Sequence, residues 1–578
     1  LPVENQEELE LKSMDIIKSF RISEPIFLFL ILWILLYLLF DFSRRFSLTQ
    51  KLLSRPQFLA KLKALGTISA IAIVASYLAL AIAYIASNTF FDHAEANIAA
   101  VSWLFKTGHS LFPPLDSPER YINNYGPILY IINGFFLTLF GPSFLSVKLG
   151  CGLAAISNVT CIFYTATKTS TRQIALIVCT YAVLAGLSIT NSFAFHAASF
   201  WLRPDPLLMF FVSVGLLGVL RGNRAIAILV AAIAFGCSLN LKVNAFVNFL
   251  PIYVLLFQRF GLGSTLLACL GGAVTAALPF LVFPQISFEN FAIWLSQSRH
   301  KPFDWEQLFN VTKWVFYVSL PLILSLTYLF YQSRASFQGF MRANRKFLYT
   351  LLACVIASLA FSIKIGVLEN NHLPFIPLFA YLLALVLEWI RVERVNFPSE
   401  RSVKRIEICF VSAAVAIAVA MLLAIAPEAG RLASTLIKSP SDRVIGDING
   451  IIKAHPNSTI AMGFSQGSGN YELTYYRPLL VFAGNPYPVD AVVMFEMQVS
   501  GVDTVSAGTI HALETCQTKL WLFPKVTQQP FDLKNFYPPH DMVFNKEFRR
   551  TFLQYYQQIE GSEFFELWAC KDDKKIPT

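Results

Sequence analysis

Residues 64–90 form an apolar run that ends in Phe91-Asp92-His93-Ala94-Glu95-Ala96. A run of that length crosses a hydrocarbon core as a single helix. An acidic pair three residues apart then stands where that helix leaves the bilayer. If helix resumes there, the two carboxylates share one face. Nearby hydrocarbon partly desolvates a carboxylate and raises its basicity. The plain alternative has Asp92 capping a helix at the interface and Glu95 in water. Position alone leaves both readings open.

Composition extends the membrane reading to the whole chain. Its 578 residues are 55% hydrophobic and 14% charged, which excludes an ordinary soluble protein. After a first run at 26–40, further apolar runs follow the 64–90 helix at 128–140, 144–165, 174–192, 207–220, 226–239, 243–257, 264–283, 314–331, 347–363, 373–390 and 406–425. The expected fold class is a polytopic α-helical membrane protein of about 11–13 spans with a C-terminal extracytoplasmic α/β domain. The net charge of +10 lies largely in short loops, the mark of cytoplasmic loops, so no nucleic-acid partner is implied.

The basic linker with Arg44, Arg45, Lys51, Arg55, Lys61 and Lys63 is the clearest cytoplasmic loop, so the 64–90 helix runs outward. Basic loops at 221–224, 334–346 and 391–405 also read as cytoplasmic. Run 128–140 is short, and a full crossing there inverts every later loop. It is therefore read as re-entrant or interfacial, or else a neighbouring boundary is misplaced. Three parts result: an N-terminal segment 1–25, a transmembrane module 26–427 with outer loops 91–125 and 285–313, and an α/β domain 428–578. Residues 1–13, ahead of Met14, are read as an addition and set aside, and no cleavable signal is evident.

In the first outer loop, 94–105 reads as an amphipathic helix for the interface, and Asn123-Asn124-Tyr125-Gly126-Pro127 as a breaker. The C-terminal region is expected to hold a helix at 441–454, strands at 459–463, 491–494, 519–523 and 564–570, and a helix at 544–560; it contains no catalytic motif. Of nine cysteines, Cys151, Cys161, Cys179, Cys237, Cys269, Cys354 and Cys409 lie in or beside apolar runs as packing residues. Cys516 and Cys570 lie in the polar region. In an oxidising compartment the pair reads equally as a disulfide or as two free thiols.

Charges at membrane boundaries are functional candidates. The outer half offers Arg203, Lys242, Lys364 and His372 as cations, with Asp92, Glu95, Asp205 and Glu369 as carboxylates. Each taken singly also reads as a cap or a snorkelling side chain. Together they describe a polar site at membrane depth. Cations beside lipid suit a lipid-borne phosphate. A carboxylate opposite suits a general base.

These stretches resemble the GT-C superfamily of membrane glycosyltransferases, in the branch of the aminoarabinose transferases and protein O-mannosyltransferases. Phe91-Asp92-His93-Ala94-Glu95 is similar to the acidic motif opening the first outer loop. Asn124-Tyr125-Gly126-Pro127-Ile128-Leu129-Tyr130 resembles the aromatic-Pro-Pro-Leu-Tyr segment that follows. Arg203-Pro204-Asp205-Pro206 resembles a second acidic motif, Leu241-Lys242 the lysine near the lipid phosphate, and Asn371-His372-Leu373-Pro374-Phe375 a late basic-Leu-Pro motif. The chain departs from the pattern at Tyr125, where aminoarabinose transferases carry Lys, at Gly126, where they carry Pro, and in the extra run 26–40.

The resemblance implies an inverting transferase that takes a sugar from a polyprenyl-phosphate donor to a lipid, glycan or protein acceptor outside the cytoplasm. It places Asp92 and Glu95 as catalytic residues and Tyr125, Arg203, Asp205, Lys242 and His372 as substrate-binding ones. No cofactor is required, no metal site is assigned, and a divalent ion shared by Asp92, Glu95 and Asp205 stays open. The expected location is a bacterial inner membrane, with the site and C-terminal domain on the periplasmic side. The alternative is a transporter or lipid flippase, for which inverted repeats and broken midplane helices are expected; no convincing repeat is present.

Overall fold

The structure is a computed structural model that describes residues 25–43, 56–122, 125–188, 197–297, 300–396, 400–438, 440–465, 471–525 and 529–571. The first four basic residues of the linker after the first run, and the Asn123-Asn124 pair, lie outside the described residues. The membrane module contains helices α1 (Pro25–Ser43), α2 (Pro56–Ala86), α3 (His93–Lys106), α4 (Pro127–Phe140), α5 (Phe144–Thr169), α6 (Arg172–Gly186), α7 (Pro204–Arg221), α8 (Arg224–Leu239) and α9 (Phe246–Val282). It continues through α10 (Phe288–Gln297), α11 (Trp305–Gln332), α12 (Arg334–Phe361), α13 (Ile376–Asn396) and α14 (Glu400–Ala420). Among the described residues, seven helices are long and apolar enough to cross a membrane, and shorter apolar helices stand beside them. The chain is a multi-pass membrane protein.

Two features settle the crossings. α9 is two helices in one, broken at Gly261, whose φ of 80° suits glycine alone. Its second arm returns beside α8, with Arg224 Nε 2.9 Å from Ser264 Oγ at one end and Asn240 Nδ2 2.9 Å from the Ala276 carbonyl at the other. α4 does not cross. Its start is pinned by the hydrogen bond from Gly126 N to Leu241 O, 3.2 Å long. Its far end hands the chain to α5, where Lys148 donates to the Tyr84 and Ser87 carbonyls that close α2. Both ends thus lie on the same face, and Lys168 falls beside Arg221, which bonds the Tyr164 carbonyl at the opposite face. At 14 residues α4 is about 21 Å long, too short for a hydrocarbon core of about 30 Å.

α14 passes through a π turn (Met421–Ile425) into α15 (Ala426–Lys438), so Pro427 lies inside continuous helix rather than at a break. The C-terminal domain follows with α16 (Ser441–Ala454), β1 (Ile460–Met462), α17 (Pro478–Phe482), α18 (Ala491–Val499), α19 (Ala507–Glu514), β2 (Leu520–Pro524), α20 (Lys546–Tyr555), β3 (Tyr556–Gly561) and β4 (Phe565–Cys570). The sheet order is β1-β2-β4-β3, with β1 parallel to β2 and the other pairs antiparallel. Its core is aromatic: Trp521, Phe523, Phe531, Phe544, Phe548 and Phe552 are all buried. Cys516 and Cys570 are joined in a disulfide.

Three expectations are corrected. Segment 491–494 is helix, because Asp490 accepts from the Val492 and Val493 amides and caps α18. A short apolar run does not distinguish strand from helix by periodicity. The helix expected to reach residue 560 stops at Tyr555, and β3 takes the rest. α3 is no interfacial helix. Eleven of its 14 residues are buried, including Glu95, Asn97 and Ser102, because the C-terminal domain covers the face that amphipathicity assigned to lipid.

The loop after α3 ties this domain down. Arg120 N donates to Pro488 O at 2.7 Å and Asp490 N to Arg120 O at 2.9 Å. Ser506 and Thr509 bond the carbonyls of Ser117 and Pro118. Trp294 of α10 bonds the Pro113 carbonyl at 2.7 Å.

Candidate active site

The site forms where the domain-side ends of α2, α3, α7 and α8 meet. Glu95 is its organising residue. It is completely buried. Its Oε2 accepts from the amides of Phe91 (2.7 Å) and Asp92 (3.0 Å), and its Oε1 accepts from the amide of Leu202 (2.9 Å) and from the Tyr84 hydroxyl. Burial raises its pKa, opposed by the Tyr84 hydrogen bond and the charge of Lys148. The solvated reading of Glu95 is overturned. Its two carboxylate oxygens fix the backbone of Asp92 and, through Leu202, that of Arg203.

Asp92 is the N-cap of α3, with extended backbone (φ −146°, ψ 150°). Its carboxylate is ion-paired with Arg203, and the two side chains are 13% and 12% exposed. Arg203 in turn is the N-cap residue of α7, where Pro204 occupies the first turn. Its guanidinium lies 4.3 Å over the Trp201 ring. Burial lowers the Arg203 pKa, and Asp205, Tyr537, Glu496 and Tyr475 pull it back.

A second pair stands behind the first. Lys242 Nζ lies 2.6 Å from Asp205 Oδ1 and 2.6 Å from Asn371 Oδ1. Asn370 Nδ2 donates to the other Asp205 oxygen at 3.0 Å. His372 is buried in the same 3₁₀ turn, Glu369–Phe375, but its Nε2 faces Ser362 Oγ at 3.3 Å rather than the cations. Tyr125 is half-buried beside this group. Burial raises its pKa well above the ordinary tyrosine value, with Asp205, Tyr130, Glu496 and Tyr537 adding to the rise.

Gly126 is required by a close backbone approach. A methyl group there would lie 1.9 Å from the Asn240 carbonyl oxygen. The chain therefore seats the turn that carries Lys242 directly on the 125–127 backbone. Gly126→Ala is expected to push that turn away at a cost of about 1–3 kcal/mol. A lowered thermal midpoint together with reduced activity checks this; an unchanged midpoint contradicts it.

The C-terminal domain supplies groups that the sequence reading missed. Glu496 of α18 is ion-paired with Lys301, and Tyr537 Oη lies 3.4 Å from its Oε1. Arg477, buried and ion-paired with Asp490 at 2.7 Å, donates to the His93 carbonyl at 2.7 Å. The His93 ring packs against Tyr471, Phe495 and Phe536, with Nε2 3.4 Å from Asp92 Oδ1 and Nδ1 3.4 Å from the Tyr471 hydroxyl. Lys148 was missed as well, although a lysine within an apolar run is a signal that could have found it. Glu496 carried no such signal, since it adjoins the segment misread as strand.

His93 carries a pH dependence. Burial lowers its pKa from 6.5 to about 4, with Arg477 lowering it further and Asp490 and Glu496 opposing. Between those values the unfolded chain binds the proton and the folded chain does not. Stability from this residue is full above about pH 6.5 and is lost as pH falls through about 4. The thermal midpoint is expected to fall across that window and to fall less in His93→Asn.

Asp92, Glu95 and Asp205 do not form a metal-ligand set. Glu95 turns toward Tyr84 and Leu202, and Asp205 toward Lys242. Among the described residues, no cluster of three His, Cys, Asp or Glu is arranged to hold a metal ion.

This is the fold of the GT-C membrane glycosyltransferases. The chain is similar to ArnT from Cupriavidus metallidurans bound to undecaprenyl phosphate, at 13% identity over 88% of this chain and 98% of that one, with a TM-score of 0.51. The apo form of the same protein gives 12% identity, 86% and 97% coverage and a TM-score of 0.49. An oligosaccharyltransferase from Archaeoglobus fulgidus gives 11% identity, 79% and 69% coverage and a TM-score of 0.42. No family model and no curated protein matches the chain.

Proposed function

We propose that this protein is a glycosyltransferase that moves a sugar from a polyprenyl-phosphate donor to an extracytoplasmic acceptor, with inversion. The observation that carries the reading is the pairing of two carboxylates with two cations, Asp92–Arg203 and Asp205–Lys242, at one face of the helical bundle. The undecaprenyl phosphate bound by the similar ArnT structure supports the donor class.

The donor's phosphate is held by Arg203 and Lys242, with its polyprenyl chain between helices. Asp92 takes the proton of the acceptor hydroxyl. The acceptor oxygen attacks the anomeric carbon from the side opposite the phosphate. The C–O bond to phosphate breaks, and polyprenyl phosphate leaves with the bonding pair, stabilised by the two cations. Glu95 positions Asp92, Asp205 holds Lys242, Tyr125 stands beside Asp205 as a substrate-binding side chain, and His372 supports the Asn370–Asn371 turn. The acceptor is a lipid, glycan or protein. The protein lies in a bacterial inner membrane with this face toward the periplasm.

The test is a mass spectrum of lipid copurifying with the protein. Polyprenyl phosphate or its glycosylated form is expected, reduced in Arg203→Gln. Only bulk phospholipid in both preparations would count against the donor class.

A further inference from the structure

The two ion pairs differ in build. Asp205 is fully buried, with both oxygens engaged by Lys242 and Asn370, and Lys242 is held again by Asn371. That pair is tied at both ends. Asp92 and Arg203 are each slightly exposed, and beside Arg203 the Asp92 carboxylate meets the Glu95 amide of its helix cap and, at 3.4 Å, His93 Nε2. Arg203 stands over Trp201, 4.3 Å from the ring centroid, an aromatic face that attracts a guanidinium without fixing its hydrogen-bond partners.

A carboxylate paired with a guanidinium is a weak base, because the cation favours the charged form. The resting pair therefore suppresses the proton transfer that the proposed reaction asks of Asp92. A phosphate offers Arg203 the same two-oxygen geometry as a carboxylate. Resting on the transfer reaction proposed above, we propose that the Asp92–Arg203 pair is a latch. The donor's phosphate takes Arg203 from Asp92, so the base is released only once a donor is seated. Lys242 does not exchange; its pair with Asp205 keeps the second cation in place.

The latch has a consequence opposite in sign to a structural role. A site whose binding cation is held by an internal competitor shows weakened apparent affinity, in proportion to the fraction latched. Removing the competitor tightens binding. Undecaprenyl phosphate is titrated against the full chain in nanodiscs for wild type, Asp92→Asn, Asp205→Asn, Arg203→Gln and the double variant Asp92→Asn/Arg203→Gln.

Asp92→Asn is expected to bind on the order of tenfold more tightly. The gain should vanish on the Arg203→Gln background, and Asp205→Asn should show none. Unchanged or weaker binding by Asp92→Asn overturns the latch, as does a gain that persists without Arg203 or appears equally in Asp205→Asn. Turnover separates the two claims. Unchanged affinity with lost turnover removes the latch and keeps the base. Tighter binding with normal turnover keeps the exchange and removes the base. A wild type that does not bind the lipid removes both.

Discussion

Asp92→Asn is expected to lower sugar transfer by about 10²–10⁴-fold, the usual contribution of a positioned general base. The amide keeps the shape of the carboxylate and cannot accept the acceptor's proton. Folding should survive, since the Glu95 side chain holds this turn through the Phe91 and Asp92 amides and asparagine keeps the capping oxygen of Asp92. Arg203 keeps the nearby charges of Asp205 and Glu496. The measurement is turnover alongside thermal midpoint. A collapse of both together would recast Asp92 as a structural ion pair, and near-normal turnover would remove it from the chemistry.

Glu95→Ala is expected to be the most damaging single change to the fold of the site. It strips acceptors from the Phe91 and Asp92 amides and from the Tyr84 hydroxyl at once, and leaves the Leu202 amide only the Tyr84 oxygen at 3.0 Å. Each buried donor left unpaired costs about 1–3 kcal/mol. It also removes the carboxylate whose charge favours the buried Lys148 ammonium, which is then left with backbone carbonyls, the Ser87 hydroxyl and the Tyr84 and Phe90 rings. A large fall in thermal midpoint and in folded yield is expected, with no activity in what remains folded. Glu95→Gln retains one acceptor oxygen and should recover part of the midpoint. Comparable midpoints for Glu95→Ala and wild type would show that the network contributes little.

The membrane character, the broken α9 and the non-crossing α4 were legible because hydrocarbon imposes length and charge rules on every helix. The short 128–140 run failed the length rule, and the contacts at Gly126 and Lys148 show why it stays on one face. The principal charged residues were legible for a related reason: a charge beside lipid is costly, so Asp92, Arg203, Asp205 and Lys242 stand out against their surroundings. Their pairing was not legible, because it depends on how α3, α7 and α8 meet.

Glu95 was half legible. Its spacing from Asp92 was correct for a shared helix end, but its burial comes from α2 and from the Leu202 turn, far away in sequence. The contribution of the C-terminal domain was hidden altogether. Glu496, Tyr537 and Arg477 carry no motif, and only the docking of that domain over α3 brings them to His93 and Arg203. That docking also buried α3, which amphipathicity alone placed against lipid.

The central claim is that a sugar leaves its lipid carrier at this face. Proteoliposomes containing the protein and a polyprenyl-phosphate donor radiolabelled in the sugar test it directly, given a mixed pool of lipid, glycan and protein acceptors. The account predicts that label leaves the polyprenyl phosphate and enters an acceptor, with free polyprenyl phosphate formed in equal amount. Label that stays on the lipid and only changes leaflet would contradict it and identify a flippase.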